Sequence, residues 1–275
     1  MNKTNISWTD FTWNPLIGCS KVSDGCKNCY AETMALRLAN MWEKSQVKGT
    51  EKYTKVVSKD GWNGNIILDE DKLHSPSKRK KHTKIFIGSM TDLFHENTKW
   101  SDIDEVIKVV INNPQHTFQI LTKRPERMRE YFNDRYKLNS DFNRFGNGSI
   151  PNLWLGVSVE NQKESDARIP ILVDTKASIR FLSVEPLIEK VDLDLRKNDM
   201  IDWVIVGGES GTKATSRLFK AEWSYDIWME CRDTGTSFFF KQRGSNNDFA
   251  NKKVFQYSNL FMDEYDFEKI QEFPR

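Results

Sequence analysis

Short apolar runs rich in β-branched and aromatic residues recur along this 275-residue chain, and a helical pattern follows most of them. The clearest runs are Ile85-Phe86-Ile87, Phe118-Gln119-Ile120-Leu121, Leu153-Trp154-Leu155-Gly156-Val157, Ile179-Arg180-Phe181-Leu182, Trp203-Val204-Ile205-Val206 and Phe238-Phe239-Phe240. Leu16-Ile17-Gly18 reads as a further short strand leading into Cys19. Runs that are apolar on both faces fit strands covered on both sides, the situation of a parallel sheet. Between the runs, Tyr30, Met34, Leu38 and Trp42 predict a helix starting straight after Cys29. Ile103, Val106, Ile107, Val110 and Ile111 form a second stripe, with Ser101 and Asp104 placed as a capping box and Pro114 as its close. Pro125 suits a first helical turn before Met128, Tyr131 and Phe132. Phe219, Trp223, Ile227 and Cys231 make the last series, ended by Gly235. Strands alternating with helices imply right-handed crossovers onto a parallel sheet. A long series of such units favours an α/β fold, here a partial or full parallel TIM-like (βα) barrel.

The barrel domain is expected over residues 1–243. Two polar stretches, about 45–83 and 137–152, read as insertions, and 244–275 reads as a C-terminal extension. Hydrophobic residues at 38% and aromatics at 12% suffice for a core. With 41 basic and 39 acidic residues the net charge is +2, so any nucleic-acid binding must come from a local patch. Met1–Trp8 has no apolar signal core, and no run approaches the ~18 apolar residues that span a bilayer. A cytoplasmic protein with no membrane partner is expected.

Each expected strand runs into polar residues. These are Cys19, then Ser89-Met90-Thr91-Asp92 with His95 and Glu96, then Thr122-Lys123-Arg124, then Ser158 and Glu160. Ser183 and Glu185, Gly207-Gly208-Glu209-Ser210-Gly211 and Lys241-Gln242-Arg243 complete the set. In a parallel barrel these ends share one face, where active sites form. Solvated loops are also polar, so the joint pattern with the cysteines carries more than any single position.

Three of the four cysteines, Cys19, Cys26 and Cys29, lie within eleven positions. In a reducing compartment such a cluster favours a metal over disulfides. Three thiolates can hold an iron–sulfur cluster with one open corner. A structural zinc would need a fourth ligand such as Cys231 or His95, and structural zinc sites usually pair two short knuckles, whereas this chain has one. Cys231 sits on an apolar helical stripe, the place of a core residue. A site without metal is the third alternative.

The matching segments are Trp8-Thr9-Asp10 with Trp13-Asn14-Pro15, Gly18-Cys19 through Cys29-Tyr30-Ala31-Glu32, Ser89 through His95, Leu121 through Met128 and Trp154 through Glu160. Arg168-Ile169-Pro170, Arg180 through Pro186, Val206 through Gly211 and Phe239 through Gln242 follow. With these residues the chain resembles the radical S-adenosylmethionine (radical SAM) superfamily, and more closely a phage-associated family of radical-SAM-like proteins known by its three-cysteine motif. The resemblance implies that Cys19, Cys26 and Cys29 ligate a 4Fe-4S cluster. S-adenosylmethionine would chelate the fourth iron and be cleaved to a 5′-deoxyadenosyl radical, with a flavodoxin- or ferredoxin-type protein as external electron donor. It implies a phage-encoded enzyme acting in the host cytoplasm.

On this reading Ser89, Thr91, Asp92, Ser158, Glu160, Gly207, Gly208 and Glu209 are the candidate cofactor-binding residues, and Glu185, Lys123 and His95 the candidate catalytic ones. Lys123, Arg124 and Arg127, and more weakly Lys78–His82, suggest an anionic substrate, nucleotide or nucleic acid among them. The alternative is a zinc-stapled nucleic-acid-binding module without catalysis.

Overall fold

The computed structural model describes residues 1–135, 149–249 and 269–274. Most of the expected 137–152 insertion and most of the 244–275 extension lie outside the described residues. The chain divides into two compact units. The first holds Met1–Gly156 and Asp174–Ser178, and the second Val157–Val173 and Ile179–Arg275.

In the first unit the sheet is built from β1 (Asn2–Lys3), β2 (Phe11–Trp13), β7 (Lys84–Ile87), β8 (Thr117–Thr122) and the start of β9 (Leu153–Ser158), in that order. Between β2 and β7 come the small pieces β3 (Leu16–Ile17), β4 (Val57–Ser58), β5 (Gly61–Trp62) and β6 (Ile67–Leu68). β1 is antiparallel to β2, while β2, β7 and β8 are parallel, with Trp13 opposite Ile87 and Ile87 opposite Ile120. Helices α1 (Tyr30–Ser45), α2 (Glu70–Leu73), α3 (Trp100–Ile111) and α4 (Pro125–Glu130) connect them. α3 buries the expected stripe of Ile103, Val106, Ile107, Val110 and Ile111. It starts earlier than the capping box predicted, with Lys99 as N-cap and no side-chain cap.

In the second unit the end of β9, β10 (Ile179–Val184), β11 (Trp203–Gly207) and β12 (Ser237–Gln242) are neighbours, and the last three are parallel. α5 (Gln162–Asp174) follows β9, and α6 (Ala221–Thr234) packs on β11 and β12 and ends at Gly235 in the left-handed conformation. The fold is mixed α/β and its sheet strands are mostly parallel. Residues 270–272 return along β12. Phe240 N–H donates to Ile270 O and Glu272 N–H to Phe238 O, and Phe273 packs on Trp203 and Phe239.

One local expectation is revised, and α1 starts straight after Cys29 as expected. Leu16–Ile17 does not lie in the main sheet but pairs antiparallel with Ile67–Leu68, and Phe11–Trp13 is the first parallel strand. Between the two strands Asn14 is held to the β7 loop: its side-chain oxygen accepts the Met90 amide at 3.1 Å and its amide donates to Ser89 Oγ at 3.0 Å. In α1 the buried face is Ala31, Ala35 and Ala39, while Tyr30 and Met34 are exposed. Residues of the 45–83 insertion, Tyr53, Val56, Val57 and Trp62, pack on this small-residue face together with Ile17 and Met90. Alanine admits a close neighbour, which large side chains at the same positions would hold off. The insertion is therefore a wall of the cysteine loop.

That wall fixes Gly18, which has φ +107° and on which a Cβ would stand 2.0 Å from Asn65 O. Gly18→Ala should cost about 2 kcal/mol or more through strain and overpacking. Urea unfolding of the variant measures this, and an unchanged midpoint would disprove it.

Candidate functional site

The cysteine loop starts two residues after β3. Gly18 N–H donates to Met90 O at 3.1 Å, and Cys19 O accepts the Gly64 amide at 3.1 Å. A 3₁₀ turn spans Asp24–Cys26, and Cys29 is the N-cap of α1. All four cysteines are free. Cys19, Cys26 and Cys29 are half-buried, whereas Cys231 is buried on α6. The Cys19 thiol is pushed up to about 12, first by burial and then by Asp92, with Arg124 acting the other way and Cys29 adding to the rise. Cys29 is therefore close enough to be felt at Cys19. Any metal bound there must displace a thiol proton.

Beneath the loop lies a buried hub. The Asp92 carboxylate accepts Thr122 Oγ1 at 2.6 Å, the Phe94 amide at 3.0 Å, the Lys123 amide at 2.9 Å and Arg124 Nη1 at 3.2 Å. Arg124 also donates through Nε to Glu96 Oε2 at 2.6 Å and through Nη2 to Ser20 Oγ at 2.8 Å. His95 is fully buried. Its Nδ1 accepts the Asn97 amide at 3.0 Å, so Nε2 carries the proton and donates to Ser20 Oγ at 2.8 Å. Ser20 in turn donates to Glu96 Oε1 at 3.1 Å. The residue after Cys19 is thus held by three side chains from beyond β7 and β8. Against burial, backbone hydrogen bonding and Arg124 hold the Glu96 carboxyl down at about 2.

The other expected residues of this unit fall around the hub. Ser89 Oγ donates to Asn14 Oδ1, and Thr91 Oγ1 donates to Gly18 O at 2.7 Å. Both tie the β7 loop to the approach of the cysteines. Arg127 donates to Glu96 O and Thr98 O and lies 4.1 Å over the Trp100 ring. Arg124 and Arg127 are therefore committed to protein partners, and Lys123 is half-buried just past the end of β8.

In the second unit Glu160 is fully buried and pairs with Arg168 Nη1 at 3.0 Å, and Arg168 also donates to Ser158 O at 2.8 Å. Glu209 is buried against Arg217. Glu185 accepts Lys241 Nζ at 2.5 Å and Gln242 Nε2 at 3.2 Å, and Gln242 reaches Gly208 O and Ser210 Oγ. A Cβ on Gly208 would stand 2.5 Å from Arg243 O and 2.7 Å from Phe219, so its glycine is explained by the chain packed against it. Sequence reasoning missed Ser20, Arg168 and Arg217. A carboxylate eight residues from an arginine carries no signal of its own, and Ser20 meets partners that lie far along the chain, at His95, Glu96 and Arg124.

Among the described residues, no three His, Cys, Asp or Glu side chains gather around one point as a single ion requires. Zinc needs its donors about 2.0–2.3 Å from one centre. An iron–sulfur cube gives each thiolate its own iron and spaces the sulfurs more widely, so three soft donors on one loop fit that group better.

Residues 3–274 match the family described as "Protein of unknown function (DUF5131)". The chain belongs to this family. No curated protein matches the chain. Among solved structures, "Spore photoproduct lyase complexed with dinucleoside spore photoproduct" is similar, with a TM-score of 0.49 and 11% identity over 90% of this chain and 79% of that one.

Asp92→Asn should destabilise the protein by about 3 kcal/mol, because it leaves the buried Arg124 with less opposing charge. Denaturant titration tests the figure, and a loss under ~1 kcal/mol would disprove it. Burial lowers the His95 pKa from its ordinary 6.5, so the unfolded chain takes up that proton first as pH falls. His95 therefore contributes stability that is complete above pH 6.5 and declines below it. Glu96, ordinarily near 4.5 and here about 2, adds a second decline below pH 4.5. Burial lowers the His116 pKa as well, so His95→Gln should make the first decline shallower without abolishing it and leave the second, as read from melting temperature against pH.

Proposed function

We propose that this chain is an enzyme of the radical SAM type, with Cys19, Cys26 and Cys29 as ligands of a 4Fe-4S cluster and its strands arranged as a partial barrel. One observation carries the reading: three unbridged, half-buried thiols share a loop that is fastened, through Ser20, to a buried Asp92–Arg124 pair at the C-terminal ends of parallel strands. When bound, the cluster and S-adenosylmethionine supply one-electron cleavage of the sulfonium, the electron coming from an external flavodoxin- or ferredoxin-type donor.

The chain's own residues hold and orient. Ser20 fixes the Cys19 backbone, and His95 and Arg124 fix Ser20. Ser89, half-buried beside Tyr30, is the hydroxyl assigned to the cofactor amine, with Thr91 and Asp92 positioning its loop. Lys123 is the cation assigned to an anionic, nucleic-acid-related substrate. In the second unit Glu185 with Lys241 is the pair assigned to move a proton. Ser158 and the Gly207-Gly208 backbone are assigned to cofactor contacts. Glu160 and Glu209, held by Arg168 and Arg217, position those strand ends.

Anaerobic reconstitution with iron and sulfide should give about four irons per chain and a brown protein. S-adenosylmethionine should bind only after reconstitution. Replacing Cys19, Cys26 or Cys29 by alanine should abolish both, whereas Cys231→Ala should leave the iron content unchanged. Equal S-adenosylmethionine binding before and after reconstitution would overturn the reading.

A further inference from the structure

The basic run Lys78–His82 does not stand at the cysteine end of the first unit. It leads through Thr83 into the start of β7, whereas Ser89, Asp92 and the hub follow the opposite end of that strand. Four extended residues, about 3.3 Å each, separate the two ends. At the N-terminal end a cavity of about 470 Å³ opens between residues of Lys3–Phe11 and Arg79–Thr83.

Its charge is one-sided. Lys3, Arg79, Lys81 and His82 line it, with Asp10 as the opposing carboxylate. Asp10 accepts the Lys84 amide at 2.8 Å and also acts on the Lys84 ammonium, so it is already engaged by a cation on β7. Lys3 and Lys81 are exposed and have no ion-pair partner among the described residues. The Arg79 guanidinium lies 4.2 Å over the Phe11 ring, and its Nε donates to Thr83 Oγ1 at 2.8 Å. These contacts fix the plane of the group, and its Nη donors make no other hydrogen bond among the described residues. A pre-oriented guanidinium flanked by two free ammonium groups is the donor set that recognises phosphate oxygens. The cavity volume is in the range that accepts a nucleotide-sized ligand.

We propose that this cavity binds phosphate groups, with a nucleotide or a nucleic-acid strand as the ligand, at a site separate from the cysteine loop. A free nucleotide would place its phosphates against Arg79. A strand would run its backbone past Lys3 and Lys81.

The test uses the whole protein without iron or S-adenosylmethionine, so its outcome is independent of the reading of the cysteines. One titration uses a fluorescein-labelled oligothymidine of about ten nucleotides, followed by anisotropy, and another uses ATP, followed by calorimetry. The double variant Lys3→Glu/Lys81→Glu changes only exposed side chains, and Arg79→Lys keeps the charge while losing the fork. Circular dichroism checks that both are folded. For at least one probe, affinity should fall about tenfold or more in the double variant. If the strand is the ligand, the salt dependence of its binding should also become shallower by roughly one to two in slope. Loss confined to the oligonucleotide identifies a strand, and loss confined to ATP a free nucleotide. Failure of both probes to bind, or binding of both unchanged in the double variant and in Arg79→Lys, overturns the proposal.

Discussion

The buried Asp92 carboxylate is the fastening on which the first unit's site depends. It draws donors from its own loop, from the end of β8 and from Arg124, so two segments that follow different strands converge on one group. An isolated buried carboxylate would be costly, and removing a partner from such a pair costs more than the pair contributes. What the arrangement secures is position. Arg124 can reach Ser20 because Asp92 and Glu96 hold its other donors, and Ser20 adjoins Cys19. A hydrophobic replacement of similar size would pack, but it would leave the cysteine loop without an anchor.

The second unit uses the same device with a different outcome. Glu160 and Glu209 are shut away against arginines and steady the ends of their strands. Glu185 retains some access to solvent, and its partners are a lysine and an amide, so a proton can reach it. The contrast separates the carboxylates shut in against arginines from one that keeps contact with solvent.

The sheet was legible because its strands are long apolar runs bounded by turn residues, and β7 to β12 fall where those runs lie. Phe11–Trp13 escaped notice because three residues cannot display a period, and Leu16–Ile17 was the more apolar neighbour. The series Tyr30, Met34, Leu38 and Trp42 located α1 correctly but did not reveal its buried face. Hydrophobic periodicity favours large side chains, and here the insertion packs on the smaller alanines. That Cys19, Cys26 and Cys29 share one loop could be read directly from spacing. The roles of Arg124, Arg127 and His95 could not, since whether a cation meets substrate or protein depends on tertiary partners. Sequence order already placed Lys78–His82 before β7, but its separation from the cysteine loop required the parallel pairing of the strands.

The return of residues 270–272 along β12 has a consequence for the molecule in concentrated solution. A rim strand normally offers its outward amides and carbonyls as a template onto which another polypeptide can zip. At Phe238 and Phe240 those groups are already taken by the chain's own far end, with Phe273 laid over the neighbouring rings. The seam is self-sealed, which discourages runaway stacking of copies through that flank.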